Sequence, residues 1–132
     1  MKGLQIFVVE DDAIIAMRSC QLLTNSGYSV PKIFSSGEEL LDHLAGHPEL
    51  PDLILMDIGL AGNLDGLETA RRVRERHNVP VIFMSSYTDD ERKARAQEIS
   101  PFGYVDKPVI ERLLVEIIGN ALRSGTSQGL TL

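Results

Sequence analysis

The feature that most restricts the fold of this chain is a regular alternation of short apolar, β-branched segments with longer segments of helical period. Short apolar runs of this kind are typical of buried strands, and amphipathic segments between them are typical of helices that cover a sheet. The five β/α units predict an α/β fold: a single doubly wound, five-stranded parallel sheet with helices on both faces. The predicted strands cover residues 4–9, 28–34, 53–56, 79–84 and 102–105.

Residues that start and stop helices lie between these strands. Asp12, Ser36 and Asp65 each precede an amphipathic segment, where their side chains can cap the first helical turn. Gly27 ends the first helix, and Pro31 favours an edge position for the second strand because proline cannot donate to a neighbouring strand. The predicted helices run from 12 to 26, from 36 to 46, onward from 65, from 88 or 89 to 98, and from 109 to 123.

Size and charge exclude several classes of protein. With 132 residues, 43% of them hydrophobic, the chain can bury a core but is too short for two ordinary domains. A net charge of −6 and a pI near 5.0 argue against direct binding to nucleic acids or anionic membranes. Cys20 is the only cysteine, and neither a secretion signal nor a membrane span is evident, so we expect a cytoplasmic location. We expect one domain over residues 1–123 and a flexible tail or linker over 124–132.

Polar side chains follow four of the predicted strands. The first strand is followed by Glu10, Asp11 and Asp12, the third by Asp57, the fourth by Ser85 and the fifth by Lys107. In an open parallel sheet the carboxyl ends of the strands border the same crevice. The sequence therefore predicts that these distant residues meet in one site.

The residue types at this crevice suit phosphoryl chemistry. Glu10, Asp11 and Asp57 offer carboxylate oxygens, with no Cys or His beside them in the sequence, which favours Mg²⁺ over zinc. Lys107 adds a positive charge and Ser85 a hydrogen-bond donor, and Asp57 can then attack phosphorus as a nucleophile. The alternative is that the three acids after the first strand only cap a helix, and for Asp12 capping is the favoured interpretation.

The order and spacing of five motifs resemble those of the receiver domain of two-component response regulators, over residues 3–123. This resemblance implies the flavodoxin-like receiver fold. The motifs are Val8-Val9-Glu10-Asp11-Asp12, Ile54-Leu55-Met56-Asp57, Asp65-Gly66-Leu67-Glu68, Pro80-Val81-Ile82-Phe83-Met84-Ser85 and Gly103-Tyr104-Val105-Asp106-Lys107-Pro108.

The resemblance implies a role for each residue of the site. Asp57 would be the phosphoacceptor, and the cofactor would be Mg²⁺, with Mn²⁺ as a substitute. Asp11 would bind the metal directly, Glu10 largely through water, and Gly59 through its backbone carbonyl. The remaining predicted roles are those of Lys107 as the salt-bridging partner of the phosphoryl group, Ser85 as the hydroxyl that turns toward it, and Tyr104 as the aromatic that changes rotamer.

The resemblance also implies partners. A histidine kinase or a phosphotransfer protein would supply the phosphoryl group, and the chain would catalyse only its own phosphorylation and dephosphorylation. The last predicted helix is more apolar than one core-facing stripe requires, with Leu114, Ile117, Ile118 and Ala121 expected in the core and an exposed edge near Ile110, Leu113 or Val115. That edge predicts a phosphorylation-dependent homodimer through the fourth helix, fifth strand and fifth helix, or a surface covered by a further domain.

Three alternatives stay open from the sequence. An aspartyl-nucleophile, Mg²⁺-dependent phosphatase would resemble haloacid-dehalogenase enzymes, but these need a second acid where this chain has Gly59. The chain could instead be a receiver module excised from a hybrid kinase or larger regulator. A degenerate receiver that binds partners without phosphorylation would be expected to lack Asp57, Lys107 or an acid of the pair, and this chain has all of them. His43, His47 and His77 lack metal-ligand spacing and are interpreted as solvated.

Overall fold

A computed structural model describes residues 4–60, 62–85, 94, 103–107 and 111–126, with the backbone alone at Tyr104, Asp106, Glu111 and residues 124–126. Five parallel strands form one sheet in the order β2-β1-β3-β4-β5. The predicted doubly wound α/β fold is confirmed. The strands are β1 (Gln5–Val9), β2 (Ser29–Phe34), β3 (Leu53–Asp57), β4 (Val81–Ser85) and β5 (Gly103–Asp106).

The predicted capping residues start three helices, α1 (Ala13–Asn25), α2 (Gly37–Gly46) and α3 (Gly66–Arg76). The side chain of Asp12 accepts hydrogen bonds from the amides of Ile14 and Ile15. In the same way, Ser36 accepts from the amide of Glu39 and Asp65 from that of Glu68. Gly27, with φ of 97°, follows the end of α1, as predicted. The C-terminal helix is Glu111–Thr126.

Each central strand sends alternate side chains to opposite faces of the sheet, and both faces are buried. On one face they pack with α2 and α3, in a core that includes Phe7, Met56 and Phe83. On the other they pack with α1 and the C-terminal helix. Burial on both faces explains why the strands are continuous apolar runs.

The C-terminal helix buries the predicted residues. Leu114, Ile118 and Ala121 are fully buried, and Ile117 is partly buried against the same core. Leu113 is 48% exposed, which confirms an apolar edge at this position. Ile110 and the predicted fourth helix at 89–98 lie outside the described residues, apart from position 94.

Two features of the sheet edge bear on the sequence predictions. β2 is an edge strand, as Pro31 predicted. The prediction of solvated histidines is wrong for His43, because this side chain is half-buried and its ring lies 5.5 Å from that of Phe7 and 5.3 Å from that of Phe34. The packing of α2 over β1 and β2 brings these rings together. His77 is half-buried too, and His47 is exposed as predicted.

No helix within the described part of the chain has the length and apolar character needed to cross a bilayer.

Candidate functional site

The predicted site residues meet at the carboxyl edge of the sheet. Glu10 follows β1, Asp57 ends β3, Ser85 ends β4 and Lys107 follows β5. Backbone pairing continues to the edge, since the amide of Lys107 donates to the carbonyl of Ser85 at 2.8 Å. The sheet register therefore carries the polar side chains to the same crevice.

Three acids form a compact cluster in this crevice. Carboxylate oxygens of Glu10, Asp11 and Asp57 lie within 4.8 Å of one another. Glu10 and Asp57 are buried, with 2% and 5% of their surface exposed, and Asp11 is exposed. Grouped carboxylates repel one another unless a cation neutralises them.

Lys107 supplies part of that neutralisation. Its Nζ lies 3.2 Å from Oε1 of Glu10 and 3.2 Å from Oδ1 of Asp57. Burial by itself lowers the pKa of Lys107, but the charges of Asp57 and Glu10 outweigh it and raise that pKa above its ordinary value. Lys107 is therefore held as a cation between the two buried acids.

Lys107 does not by itself balance the charge of the buried acids. Burial raises the pKa of Glu10 to about 7, and the charge of Asp57 raises it too. The amide of Asp12, which donates to Oε2 of Glu10 at 3.1 Å, opposes that rise, and so does Lys107. The charged form of Glu10 is therefore under-compensated by the side chains around it.

Backbone contacts orient Asp57. The amide of Gly59 donates to Oδ1 of Asp57 at 3.0 Å, and the amide of Ile58 donates to the carbonyl of Met84 at 2.9 Å. The first bond fixes the carboxylate, and the second ties the residue after Asp57 to β4. Asp57 is thus held on both its backbone and its side chain.

The hydroxyl of Ser85 is fully buried and has no hydrogen-bond partner among the described residues. A buried hydroxyl without a partner costs stability, so such groups usually serve a ligand or a function. Together with three carboxylates and an ammonium, this hydroxyl fits a cation and a phosphoryl group better than it fits a structural role.

The loop after Asp57 is anchored by apolar side chains. Ile58 and Leu60 are buried in the core under α2 and α3. Gly62 has φ of 101°, a conformation that favours glycine. Ala61 lies outside the described residues.

Sequence reasoning missed two contacts of this site. One is the amide of Asp12 on Glu10, and the other is the approach of Gly66 to the backbone of Asp57. The glycine after the capping Asp65 was the available signal, because a helix that starts on glycine can lie close to a neighbouring backbone. The side chain of Tyr104 is outside the described residues, and the metal-binding carbonyl of Gly59 stays a prediction.

Comparison with protein families gives a match over most of the chain. The model for the response regulator receiver domain matches residues 6–119. The DNA-binding transcriptional regulator NtrC of Klebsiella pneumoniae is 35% identical over 103 residues, covering 77% of this chain and 21% of NtrC. The transcriptional regulatory protein AfsQ1 of Streptomyces coelicolor is 35% identical over 120 residues, covering 91% of this chain and 52% of AfsQ1. The chain thus spans about a fifth and about half of these curated relatives.

Solved structures give the same result. The signal receiver domain of a modulated diguanylate cyclase from Desulfovibrio desulfuricans superposes with a TM-score of 0.88 at 35% identity, covering 96% of this chain and 99% of that one. The N-terminal domain of a response regulator/sensory box/GGDEF protein from Carboxydothermus hydrogenoformans gives 0.86 at 32% identity, with coverage of 94% and 98%. The chain belongs to the response regulator receiver domain family, and is a signalling domain of a two-component system rather than a metabolic enzyme.

Proposed function

We propose that this domain takes a phosphoryl group from the phosphohistidine of a histidine kinase or phosphotransfer protein onto Asp57. The observation that carries the proposal is the environment of Asp57, a buried carboxylate 3.2 Å from the ammonium of Lys107 and clustered with Glu10 and Asp11. Receiver domains of response regulators interact with histidine kinases, which makes a phosphohistidine the expected donor.

The proposed step forms one bond and breaks one. A carboxylate oxygen of Asp57 attacks phosphorus, and the bond between phosphorus and the donor imidazole nitrogen breaks. The bonding electron pair leaves with that nitrogen, and the ring ends as a neutral imidazole because its other nitrogen carries a proton in the donor. Asp57 becomes an acyl phosphate. Hydrolysis of the acyl phosphate returns the carboxylate and inorganic phosphate.

Lys107 and Ser85 suit the charge of the product. Lys107 already lies beside Asp57 and Glu10, so it can hold a phosphoryl oxygen by a short movement of a flexible side chain. The buried Ser85 hydroxyl, which lacks a partner among the described residues, can donate to another phosphoryl oxygen. That hydrogen bond exists only when phosphate is present, so it can report phosphorylation to the rest of the domain.

Glu10, Asp11 and Asp57 would hold Mg²⁺, or Mn²⁺ in its place, and Gly59 would contribute its carbonyl. When bound, such a cation supplies the positive charge that offsets the phosphoryl oxygens and the grouped acids. The fit rests on an all-oxygen donor set and on the under-compensated charge of Glu10.

The output side of the proposal concerns β5 and the C-terminal helix. We assign the switch to Ser85 and Tyr104, with a homodimer formed through the predicted fourth helix, β5 and the C-terminal helix. The exposed Leu113 supports this surface. Sedimentation with and without Mg²⁺ and beryllium fluoride tests it, and a monomer under both conditions contradicts it.

The boundaries and location of the domain are part of the proposal. We place the receiver at residues 1–123 in the cytoplasm, where kinase domains hold ATP, and assign 124–132 to a tail or linker. Limited proteolysis tests the boundary. Under native conditions, cleavage well before residue 123 that leaves a fragment unable to be phosphorylated contradicts it.

Incubation with acetyl phosphate and Mg²⁺, followed by intact-mass measurement, tests the central claim. We expect the mass of one added phosphoryl group, sensitive to hydroxylamine as an acyl phosphate should be. Inorganic phosphate release separates this function from that of a phosphatase. A receiver releases phosphate only as fast as its own acyl phosphate hydrolyses, whereas rapid turnover of many donors without a phosphorylated species would favour the phosphatase.

A further inference from the structure

The first residue of α3 lies directly against the backbone of Asp57. Gly66 is buried, and its amide donates to the carbonyl of Ile58 at 3.2 Å. A Cβ atom on Gly66 would lie 2.2 Å from the carbonyl oxygen of Asp57 and 2.9 Å from Cα of Ile58. Both are backbone atoms, so no rotamer change can relieve the overlap. Only a residue without a side chain lets α3 approach Asp57 this closely.

The start of α3 is also held from its other side. Asp65 caps the helix through Oδ1, and its carbonyl accepts a hydrogen bond from Oγ1 of Thr69 at 2.7 Å. Thr69 is fully buried and packs on Gly37, the first residue of α2. A side chain at position 66 would have to break the cap and this packing to move α3 away. It would therefore displace the backbone of Asp57 and Ile58.

Displacement of that backbone moves the reactive carboxylate. Oδ1 of Asp57 is set by contacts with the amide of Gly59 at 3.0 Å and with Nζ of Lys107 at 3.2 Å. The same carboxylate must also stay within the acid cluster that includes Glu10 and Asp11. A misplacement of reacting groups by about 1 Å costs on the order of 100-fold in rate.

We propose that Gly66 is a positioning residue for Asp57: the absence of a side chain at this position sets where the Asp57 carboxylate stands relative to Lys107 and the other acids. This inference rests on the proposed phosphorylation of Asp57. It adds an indirect contributor to the reaction, one that touches neither metal nor phosphoryl group.

The chain provides two matched glycines for the test. Gly37 occupies the same position in α2 as Gly66 in α3, directly after the capping residue, but its added Cβ would collide with the side chain of Thr69 and not with the site. Gly46 ends α2 with nothing within 4 Å of an added Cβ. Gly37→Ala therefore reports disturbed packing around Thr69 and the start of α3 without a direct collision with Asp57, and Gly46→Ala reports the substitution itself.

For each alanine variant, urea unfolding gives the folded fraction. Acetyl phosphate with saturating Mg²⁺ gives the phosphorylation rate per folded molecule, and calorimetric titration gives the Mg²⁺ affinity. We expect Gly66→Ala to lose on the order of tenfold to 100-fold in rate. The Gly37→Ala and Gly46→Ala rates should stay near that of the wild type, even if Gly37→Ala is less stable.

A wild-type rate in folded Gly66→Ala would overturn the inference, and so would equal losses in Gly66→Ala and Gly37→Ala. If the wild type itself takes up no phosphate, the proposed function fails, and the Mg²⁺ affinity then decides the positioning role on its own. Weaker Mg²⁺ binding in Gly66→Ala supports that role, and unchanged binding removes it.

If Gly66→Ala does not fold, backbone amide NMR of the wild-type protein replaces it. Addition of Mg²⁺ and beryllium fluoride should shift the amide signal of Gly66, which lies on the Asp57 backbone, and leave those of Gly37 and Gly46 in place. A Gly66 signal that does not move would overturn the inference.

Discussion

Two glutamates of this domain are paired with cations, yet their pKa values move in opposite directions. On the surface of α3, Glu68 pairs with Arg71 at 2.5 Å and with Arg72 at 2.9 Å, and hydrogen bonds from Arg71 and then Arg72 lower its pKa to about 2. In the crevice, Glu10 pairs with Lys107 at 3.2 Å, and burial raises its pKa to about 7.

The difference lies in what surrounds each pair. The paired side chains of α3 are 34% exposed for Glu68, 50% for Arg71 and 48% for Arg72, and the two arginines face Glu68. Glu10 is almost fully buried beside Asp57, and the two acids share one lysine. The charges of a surface ion-pair network balance one another and contribute little to stability. Buried acids that outnumber the cations beside them are unfavourable unless a further positive charge binds. A short ion-pair distance therefore does not by itself distinguish a functional site from a solvated surface.

The largest expected difference between substitutions in the crevice and substitutions on the surface of α3 is in phosphorylation. Asp57→Asn should abolish it, because an amide cannot form the acyl phosphate. Glu68→Gln, a change of the same kind on α3, should leave it unchanged. Intact mass after incubation with acetyl phosphate and Mg²⁺ measures both, and phosphate on the Asp57→Asn protein would show that the acceptor lies elsewhere.

The second expected difference is in stability, where Glu10→Gln and Glu68→Gln should have effects of opposite sign. Without metal at pH 8, Glu10→Gln should raise the free energy of unfolding by about 1–3 kcal/mol, because it removes a buried charge while Lys107 keeps Asp57 as partner. Glu68→Gln should lower that free energy by less than about 1 kcal/mol, since solvent screens its pairs.

Urea unfolding in EDTA measures both variants. Destabilisation in both would mean that Glu10 is a structural ion-pair residue like Glu68, and would remove the argument that its buried charge calls for a metal.

The third effect concerns that metal. Mg²⁺ at about ten times its Kd should stabilise the folded protein by about 1.4 kcal/mol, equivalent to a Tm increase of roughly 3–6 °C. Asp11→Asn should remove most of this increase, whereas Glu75→Gln on the surface of α3 should preserve it. Differential scanning calorimetry with and without Mg²⁺ provides the measurement, and an undiminished increase in Asp11→Asn would place the cation outside the acid cluster.

The sequence predicts the residues of the crevice because apolar runs and residue types are signals that can be found along the chain itself. Apolar runs identify the strands, Asp12 and Asp65 identify helix starts, and parallel order brings the polar residues after the strands together. The contacts that the sequence does not predict depend on how segments far apart in the chain pack against each other. The approach of Gly66 to Asp57 depends on the path of the intervening loop, and no periodicity encodes that path.

His43 shows the same limit on the other side of the sheet. Nothing in its neighbours along the chain indicates that the helix carrying it packs over Phe7 and Phe34. The sequence therefore predicted a solvated side chain where the structure has a half-buried one.

His43 also extends the comparison to a base, with the smallest expected effect. Burial lowers the pKa of His43 below its ordinary 6.5, and the nearby charges of His47, whose ring stacks on it at 3.9 Å, and Lys32 lower it further. A depressed pKa in the folded state means that the contribution of His43 to stability is complete above pH 6.5 and is lost as pH falls below that value.

Without metal, protonation of buried Glu10 should raise the free energy of unfolding as pH falls from 7 to 5.5, and the contribution of His43 opposes that rise. We therefore expect His43→Gln to make the rise steeper than in the wild type. Burial acts on this base as it acts on Glu10, by disfavouring the charged form, although the two pKa values move in opposite directions. His77→Gln, at the C-cap of α3, is the matched control. Urea titrations across this pH range measure the slopes, and a slope in His43→Gln equal to that of the wild type would show that burial beside Phe7 and Phe34 does not control protonation there.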